Sequence, residues 1–474
     1  MRAFLLIIFI LYLPLLHSTL FEDTLRITDE ESNFFPTNLT NNSNFGVSMT
    51  SLGDLNLDGV PDIAVGAERA ISDNNIVFGG VYILFMNQNG TVKNHTKITN
   101  STNNFFPQGL DENDRFGSSV TTIGDLNGDG IPDMAVGARQ DEMSGGERSG
   151  AVYILFMNQN GTVKNHTKIA NSTSNFFPQG LDNIDQFGSA VEDLGDLDGD
   201  SIPDIAVGAY TDESENTIYA GEGAVYILFM NQNGTVKNHT KISENISGFN
   251  SANLGEFGLF GSAIENLGDL DQDGITDLAV GARAAWRNNN NEGIVYILFM
   301  NQNGTVKNFT EISSGNNGFF PNNLDENDRF GVDIELFEDL DGDGVPELLV
   351  GALQDEVISD QDGAIYLLYL NRNGGVKSHI KIGTSLEGLI LSEIELGDKF
   401  GTSLTKYRDL NGDGIDELFV GAAYDENLFS DQGAIYLLFS NTTSFSTSTT
   451  QLLFNSYGMF SVIITIIILF KFLV

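Results

Sequence analysis

The sequence has no cysteine, so it carries no disulfide scaffold, no thiol chemistry and no thiolate metal site. Cations are scarce as well: 23 Lys and Arg stand against 65 Asp and Glu, a formal charge of −42. That balance argues against nucleic acid and against docking on anionic lipid, both of which need clustered positive charge. Tryptophan occurs once, at Trp286. Between residues 21 and 440 no useful stretch shows the apolar period of a helix. Beyond the N-terminal run, histidine is confined to His95, His166, His239 and His379, all at equivalent places in a repeat. They form no nucleophile–base set, and the expectation is a protein without enzymatic activity.

What is abundant points to a β structure. There are 52 Gly and 34 Phe, and 41% of residues are hydrophobic, enough for many tight turns around a large core. The ends differ from the middle. Residues 1–19 read as a secretory signal, with one Arg and then "AFLLIIFILYLPLL". Residues 441–456 form a polar Ser/Thr-rich linker. Residues 457–474, "YGMFSVIITIIILFKFLV", read as a transmembrane segment or a lipid-anchor signal. An extracellular protein tethered at the cell surface is therefore expected.

Residues 20–440 repeat. Phe-Gly recurs at Phe45, Phe116, Phe187, Phe260, Phe330 and Phe400, roughly every 70 residues, a period that marks one supersecondary unit per repeat. Each unit holds four strand-like segments: "FGSSVTTIGDL", "DMAVGA", the unbroken apolar run "AVYILFM", and "TVKNHTKI" after an Asn-Gly turn. In the last, lysines alternating with Val163 and Ile169 read as exposed guards of a sheet edge. A four-stranded meander repeated about a centre is a β-propeller blade. The sixth unit lacks its fourth strand, and "EDTLRITDEESNFFP" at the N-terminus matches the fourth-strand ending "KITNSTNNFFP". Residues 22–27 should close the ring as the outer strand of the last blade. The expected fold is all-β, a propeller of six four-stranded blades, with seven as the alternative count.

Phe-Gly, an Asp-rich loop and then Gly-Ala resemble the FG-GAP repeat of integrin α-subunit propellers, across residues 22–440. The resemblance implies a calcium-stabilised propeller that serves adhesion or extracellular recognition. Integrin propellers have seven blades and are followed by leg domains, neither of which is read here.

The loops themselves specify a metal. "DLNGDGIPD" places Asp125, Asn127, Asp129, Gly130 and Asp133 at positions one, three, five, six and nine. Alternate side chains in a tight loop turn toward one centre, Gly permits the bend, and the carbonyl at position seven adds an oxygen. Calcium takes six to eight such oxygens. An EF-hand needs Glu at position twelve and flanking helices; here position twelve is Val136 and the flanks are strands. The expected side-chain ligands are Asp54, Asn56, Asp58, Asp62; Asp125, Asn127, Asp129, Asp133; Asp196, Asp198, Asp200, Asp204; and Asp269, Asp271, Asp273, Asp277. Asp339, Asp341, Asp343, Glu347 and Asp409, Asn411, Asp413, Glu417 complete the set, with carbonyls of Val60, Ile131, Ile202, Ile275, Val345 and Ile415. Up to six Ca²⁺ ions are expected. Ser201 replaces Gly in the third loop, so its turn should be the most strained.

In a meander, the calcium loops share one face with the Asn-Gly turns, where "MNQNGTVKN" is identical in four units. The loops of the opposite face differ from unit to unit, as a binding surface would. Trp286 and Arg287 lie in one of them and are candidate contacts for a protein or glycan ligand. Sequons stand at Asn38, Asn41, Asn89, Asn94, Asn100, Asn160, Asn165, Asn171, Asn233, Asn238, Asn245, Asn303, Asn308 and Asn441.

Overall fold

The computed structural model describes residues 21–441 except 29–38, 40–41, 72–75, 101–109, 143–147, 172, 177, 179–180, 213–220, 252–253, 256, 287–290, 320–323, 356–361, 384–396 and 426–431. Six four-stranded antiparallel sheets make up the fold, and no helix occurs among the described residues. Blade two is representative: Phe116–Thr122, Met134–Ala138, Ala151–Met157 and Val163–Ala170, in that order from the axis outward. The third strand is buried at every residue, which explains its unbroken apolar run. Six blades, not seven, surround the axis.

The ring closes as the repeat pattern requires. Phe21–Ile27 pairs antiparallel with Ala434–Ser440 and completes the last sheet, whose other strands are Phe400–Tyr407 and Glu417–Ala422. In this register Arg26 lies opposite Tyr436, the relation that Lys168 has to Tyr153 in blade two.

The hydrophobic cores lie at the seams between blades. Ile83 and Phe85 of the first blade pack with Phe116, Val136 and Tyr153 of the second. Ile27, Phe419 and Ile435 pack with Phe45, Val65 and Tyr82, so the closing seam has the same core as the others. Each fully buried side chain of this size contributes about 1.5–3 kcal/mol, and no blade can bury both faces alone.

The repeated glycines mark where these seams are tightest. A Cβ on Gly117, which has φ +86°, would lie 2.4 Å from the Gly80 carbonyl oxygen of the preceding blade. One on Gly66 would lie 2.2 Å from the Gly117 oxygen. The Gly of Phe-Gly and the Gly of the preceding blade's Gly-Ala thus let two backbones touch. The adjacent Phe116 packs edge-on against Tyr153 at 5.6 Å.

One expectation about the outer strands is corrected. A bulge between Phe156 and Met157 breaks the simple alternation. Lys164 stays exposed, but Lys168 folds inward onto the buried Asp141 at 2.5 Å, and Tyr153 donates to the same carboxylate. Lys241 does the same with Asp212 and Tyr226. Lys381 pairs with Asp355, and in the closing blade Arg26 pairs with Asp425. These lysines are internal latches, not edge guards.

Candidate metal centres and the opposite face

Each acidic loop is held open by its own backbone. In blade two the N–H groups of Asp129 and Gly130 donate to the two carboxylate oxygens of Asp125, at 2.9 and 2.7 Å. Ile131 donates to Asp129 at 3.1 Å. The position-nine carboxyl is fully buried where the second strand begins, and one of its oxygens accepts from the third strand, as Asp133 does from Met157 at 3.1 Å. Asp62, Asp204 and Asp277 take the same N–H from Met86, Met230 and Met300, and Glu417 takes it from Ser440. Burial pushes Asp62, Asp133, Asp204 and Asp277 up to about 6 and Glu347 up to about 8.

The donor sets fit a hard divalent cation. Carboxylate oxygens of Asp196, Asp198 and Asp204 lie within 4.8 Å of one another, as do those of Asp269, Asp271 and Asp273, and of Asp339, Asp341 and Glu347. The Glu347 Oε2 atom is buried and has no hydrogen-bond partner. Carboxylates so crowded repel, and a cation removes that cost.

Two features of the loops were not read from the motif. The fourth position also takes left-handed backbone. Gly128 has φ +79°, but Leu57 and Gln272 hold φ of 62° and 65° at the same place. Ser201, at φ 70°, is therefore one of three strained loop residues. The second feature is a lysine that reaches each of the first five loops from the start of the outer strand. Lys93 meets Asp58 at 2.7 Å, Lys164 meets Asp129 at 2.6 Å, and Lys307 bridges Asp271 and Asp273. Lys237 and Lys377 act likewise. In the closing blade the corresponding register position is Glu22.

The sequons of the turns do double duty. Asn160 Oδ1 accepts from the Thr162 hydroxyl at 2.7 Å, which shapes the exposed hairpin turn. Asn100 and Asn171 donate their amides to the carbonyls of Leu110 and Leu181. Asn38, Asn41 and Arg287 lie outside the described residues, as do residues 1–19 and 442–474. Among the described residues no helix is long and apolar enough to cross a membrane.

On the opposite face Trp286 is 50% exposed, so it does not pack beneath its own loop. It has company: Ile76, Ile184, Phe257 and Tyr424 are also exposed there, while among the described residues Leu57 is the one exposed large hydrophobic on the acidic-loop face. This face opens into an axial cavity of about 690 Å³. Arg139, Tyr210 and Arg283 ring its mouth, and Glu192, Glu265 and Glu335 converge deeper in. Burial, and after it repulsion by neighbouring carboxylates such as Asp333, raises all three glutamates, Glu335 to about 8.

The family model for the FG-GAP repeat matches residues 116–155, 191–228, 260–298 and 400–438. This is a six-bladed propeller with FG-GAP repeats in four of its blades. Its matched segments coincide with blades two, three, four and six, and the other two blades share their geometry. The propeller is similar to integrin alpha-PS2 of Drosophila melanogaster, 35% identical over 173 residues that make up 36% of this chain and 12% of that protein. Human integrin alpha-6 is 34% identical over 171 residues, 36% of this chain and 13% of its own length. Bovine phosphatidylinositol-glycan-specific phospholipase D is 31% identical over 164 residues, 35% of this chain and 18% of that protein. The chain thus spans less than a fifth of each of these relatives.

Proposed function

We propose that this FG-GAP propeller is a calcium-stabilised recognition module displayed at the cell surface, and that it binds rather than catalyses. The observation that carries the reading is the asymmetry of its faces. One face bears the acidic loops and near-identical turns; the other gathers Ile76, Ile184, Phe257, Trp286 and Tyr424 in exposed positions on loops of unlike sequence. Exposed aromatic residues on a rigid scaffold are what a binding surface requires. The four histidines sit on separate blades, half-buried against tyrosines such as Tyr82 and Tyr153, which supports binding over chemistry.

Calcium is the ion proposed for the loops, held by the carboxylates and amides at positions one, three, five and nine and the carbonyl at position seven. When bound it neutralises carboxylates that otherwise repel across each turn. The last strand ends among these loops: Ser440 donates to Glu417 and accepts from Asn411. A membrane-attached C-terminal tail therefore leaves from the calcium face and turns the variable face outward. The partner is an extracellular protein; glycan is the second ligand class, to be separated on a glycan array. The direct test is cell binding by the full chain with and without calcium, before and after glycan sites are engineered around Trp286. Binding that persists with the variable face shielded but fails with the calcium face shielded would refute the reading.

A further inference from the structure

At the first two blade seams around the cavity mouth, the residue after Gly-Ala meets the one before the next Phe-Gly. At the seam of blades one and two these are Glu68 and Arg115, 3.9 Å apart. Glu68 also pairs with Arg139 at 2.9 Å, so one buried carboxylate lies between two guanidinium groups. At the seam of blades four and five the same two places hold Arg283 and Arg329.

Neither of this second pair forms an ion pair among the described residues. Arg283 lies over the Tyr210 ring, 4.8 Å from its centroid. Tyr210 is itself fixed by hydrogen bonds to Gln186 and Arg139. Arg329 donates through Nε to Gln354 at 3.4 Å. Burial lowers the Arg329 pKa, and the charge of Arg283 lowers it further. Two neighbouring cations, each partly buried and with no counter-ion among the described residues, are costly. Their cost is larger to explain in a chain with 23 Lys and Arg against 65 Asp and Glu, where Arg115 and Arg139 share the carboxylate of Glu68.

We infer that the Arg283–Arg329 seam receives a single carboxylate, the Asp or Glu side chain of a partner protein. It would lie there as Glu68 lies between Arg115 and Arg139. The inference deepens the recognition reading of the variable face and rests on it. Guanidinium groups match a carboxylate with paired N–H donors. The surroundings favour one acid on a partly apolar loop over a polyanion. Trp286, which follows Arg283 in the same loop, is exposed, and Asp325 and Glu326, just before Arg329, are exposed as well. An extended sulfated chain would meet those acids and the field of a −42 protein.

The test uses the full-length chain in calcium, with 15N in its arginine side chains, and acetyl-Gly-Asp-Gly-amide as the probe. Arg283→Gln and Arg329→Gln assign the two Nε–H signals. Both signals should shift saturably with the Asp peptide, and at least about tenfold more weakly with its Asn counterpart. Arg283→Glu puts a carboxylate opposite Arg329 from within; it should abolish the peptide response at Arg329 and raise the melting temperature. If Arg283→Glu is not secreted, Arg283→Gln must still weaken the Arg329 response. No shift with the Asp peptide, an equal shift with the Asn peptide, or a shift only with sialyllactose would each overturn the inference. Cell binding by the wild type separates the two readings. A peptide response without any cell binding defeats the recognition reading alone. Cell binding retained by Arg329→Gln, with no peptide response, defeats the carboxylate inference alone.

Discussion

Ser201 holds at φ 70° the backbone that Gly59, Gly130, Gly274, Gly344 and Gly414 hold in the other loops. A non-glycine residue there costs roughly 1–2 kcal/mol, partly offset by the greater freedom glycine loses on folding. Ser201→Gly and Leu57→Gly should each stabilise the calcium-free protein, by about 0.5–1 kcal/mol, seen as a higher denaturant midpoint. The inward latches make a second residue-scale test. Asp141→Ala strands Lys168 and the Tyr153 hydroxyl, and breaking a buried pair from one side costs about 3 kcal/mol. Adding Lys168→Met should recover part of that loss, because the remaining charge is then gone. Blade four shows the same logic in the natural sequence: Ala285 replaces the Asp, Glu311 replaces the Lys, and Tyr296 bonds Ser251 instead. A double variant no more stable than the single one would show that Lys168 is not the stranded charge.

The N-terminal strand is the element on which closure depends. Without Phe21–Ile27 the third strand of blade six, Ala434–Ser440, has an unpaired edge, and edges of this apolar kind recruit other chains. Deleting Phe21–Ile27 should cause aggregation or loss of secretion, followed by size-exclusion chromatography of the secreted product. A monomeric deletion product with normal melting would mean that closure rests on the inner strands, through contacts such as the Tyr407 hydroxyl to the Pro61 carbonyl at 2.5 Å. Arg26→Ala is the milder variant. It removes the Asp425 latch that sets the strand's register and should cost about 3 kcal/mol, read from the shift in unfolding midpoint.

At the scale of the molecule, charge dominates. Ions that bind only the folded state add about 2.7 kcal/mol per site at a hundredfold excess over Kd, so chelation should lower the melting temperature sharply. Acid acts oppositely on the two forms. In the calcium-free protein burial raises Asp333 to about 7 and Glu335 to about 8, with Glu192 and Glu265 also raised. The folded state then binds more protons than the unfolded chain, so this contribution is full below the unfolded carboxyl pKa and lost as pH rises through 7 to 8. In chelator, melting temperature should rise from pH 8 to pH 6, each group giving well under about 1.4 kcal/mol per pH unit because all four residues are only partly buried. In calcium, protonation of Asp62, Asp133, Asp204 and Asp277 near pH 6 competes with the ion, so affinity should fall over the same interval. Calorimetry at both pH values, with and without chelator, checks both signs.

The fold was legible because its information is local and repeated. Phe-Gly, the acidic turn and Gly-Ala recur in each unit, and the missing fourth strand of the last unit matches the free N-terminal segment, so blade count and closure follow from counting. The candidate metal positions are local too, each set lying within nine residues. What the tertiary structure alone decided are contacts between segments separated in the sequence. Lys168 finds Asp141 across a hairpin, 27 residues away, and Arg26 finds Asp425 across 399. Glu68 meets Arg115, and Arg283 meets Arg329, only because closing the ring brings the end of one Gly-Ala beside the start of the next Phe-Gly. A linear sequence displays these residues in unlike loops; the seam geometry makes one pair an ion pair and leaves the other with no counter-ion among the described residues.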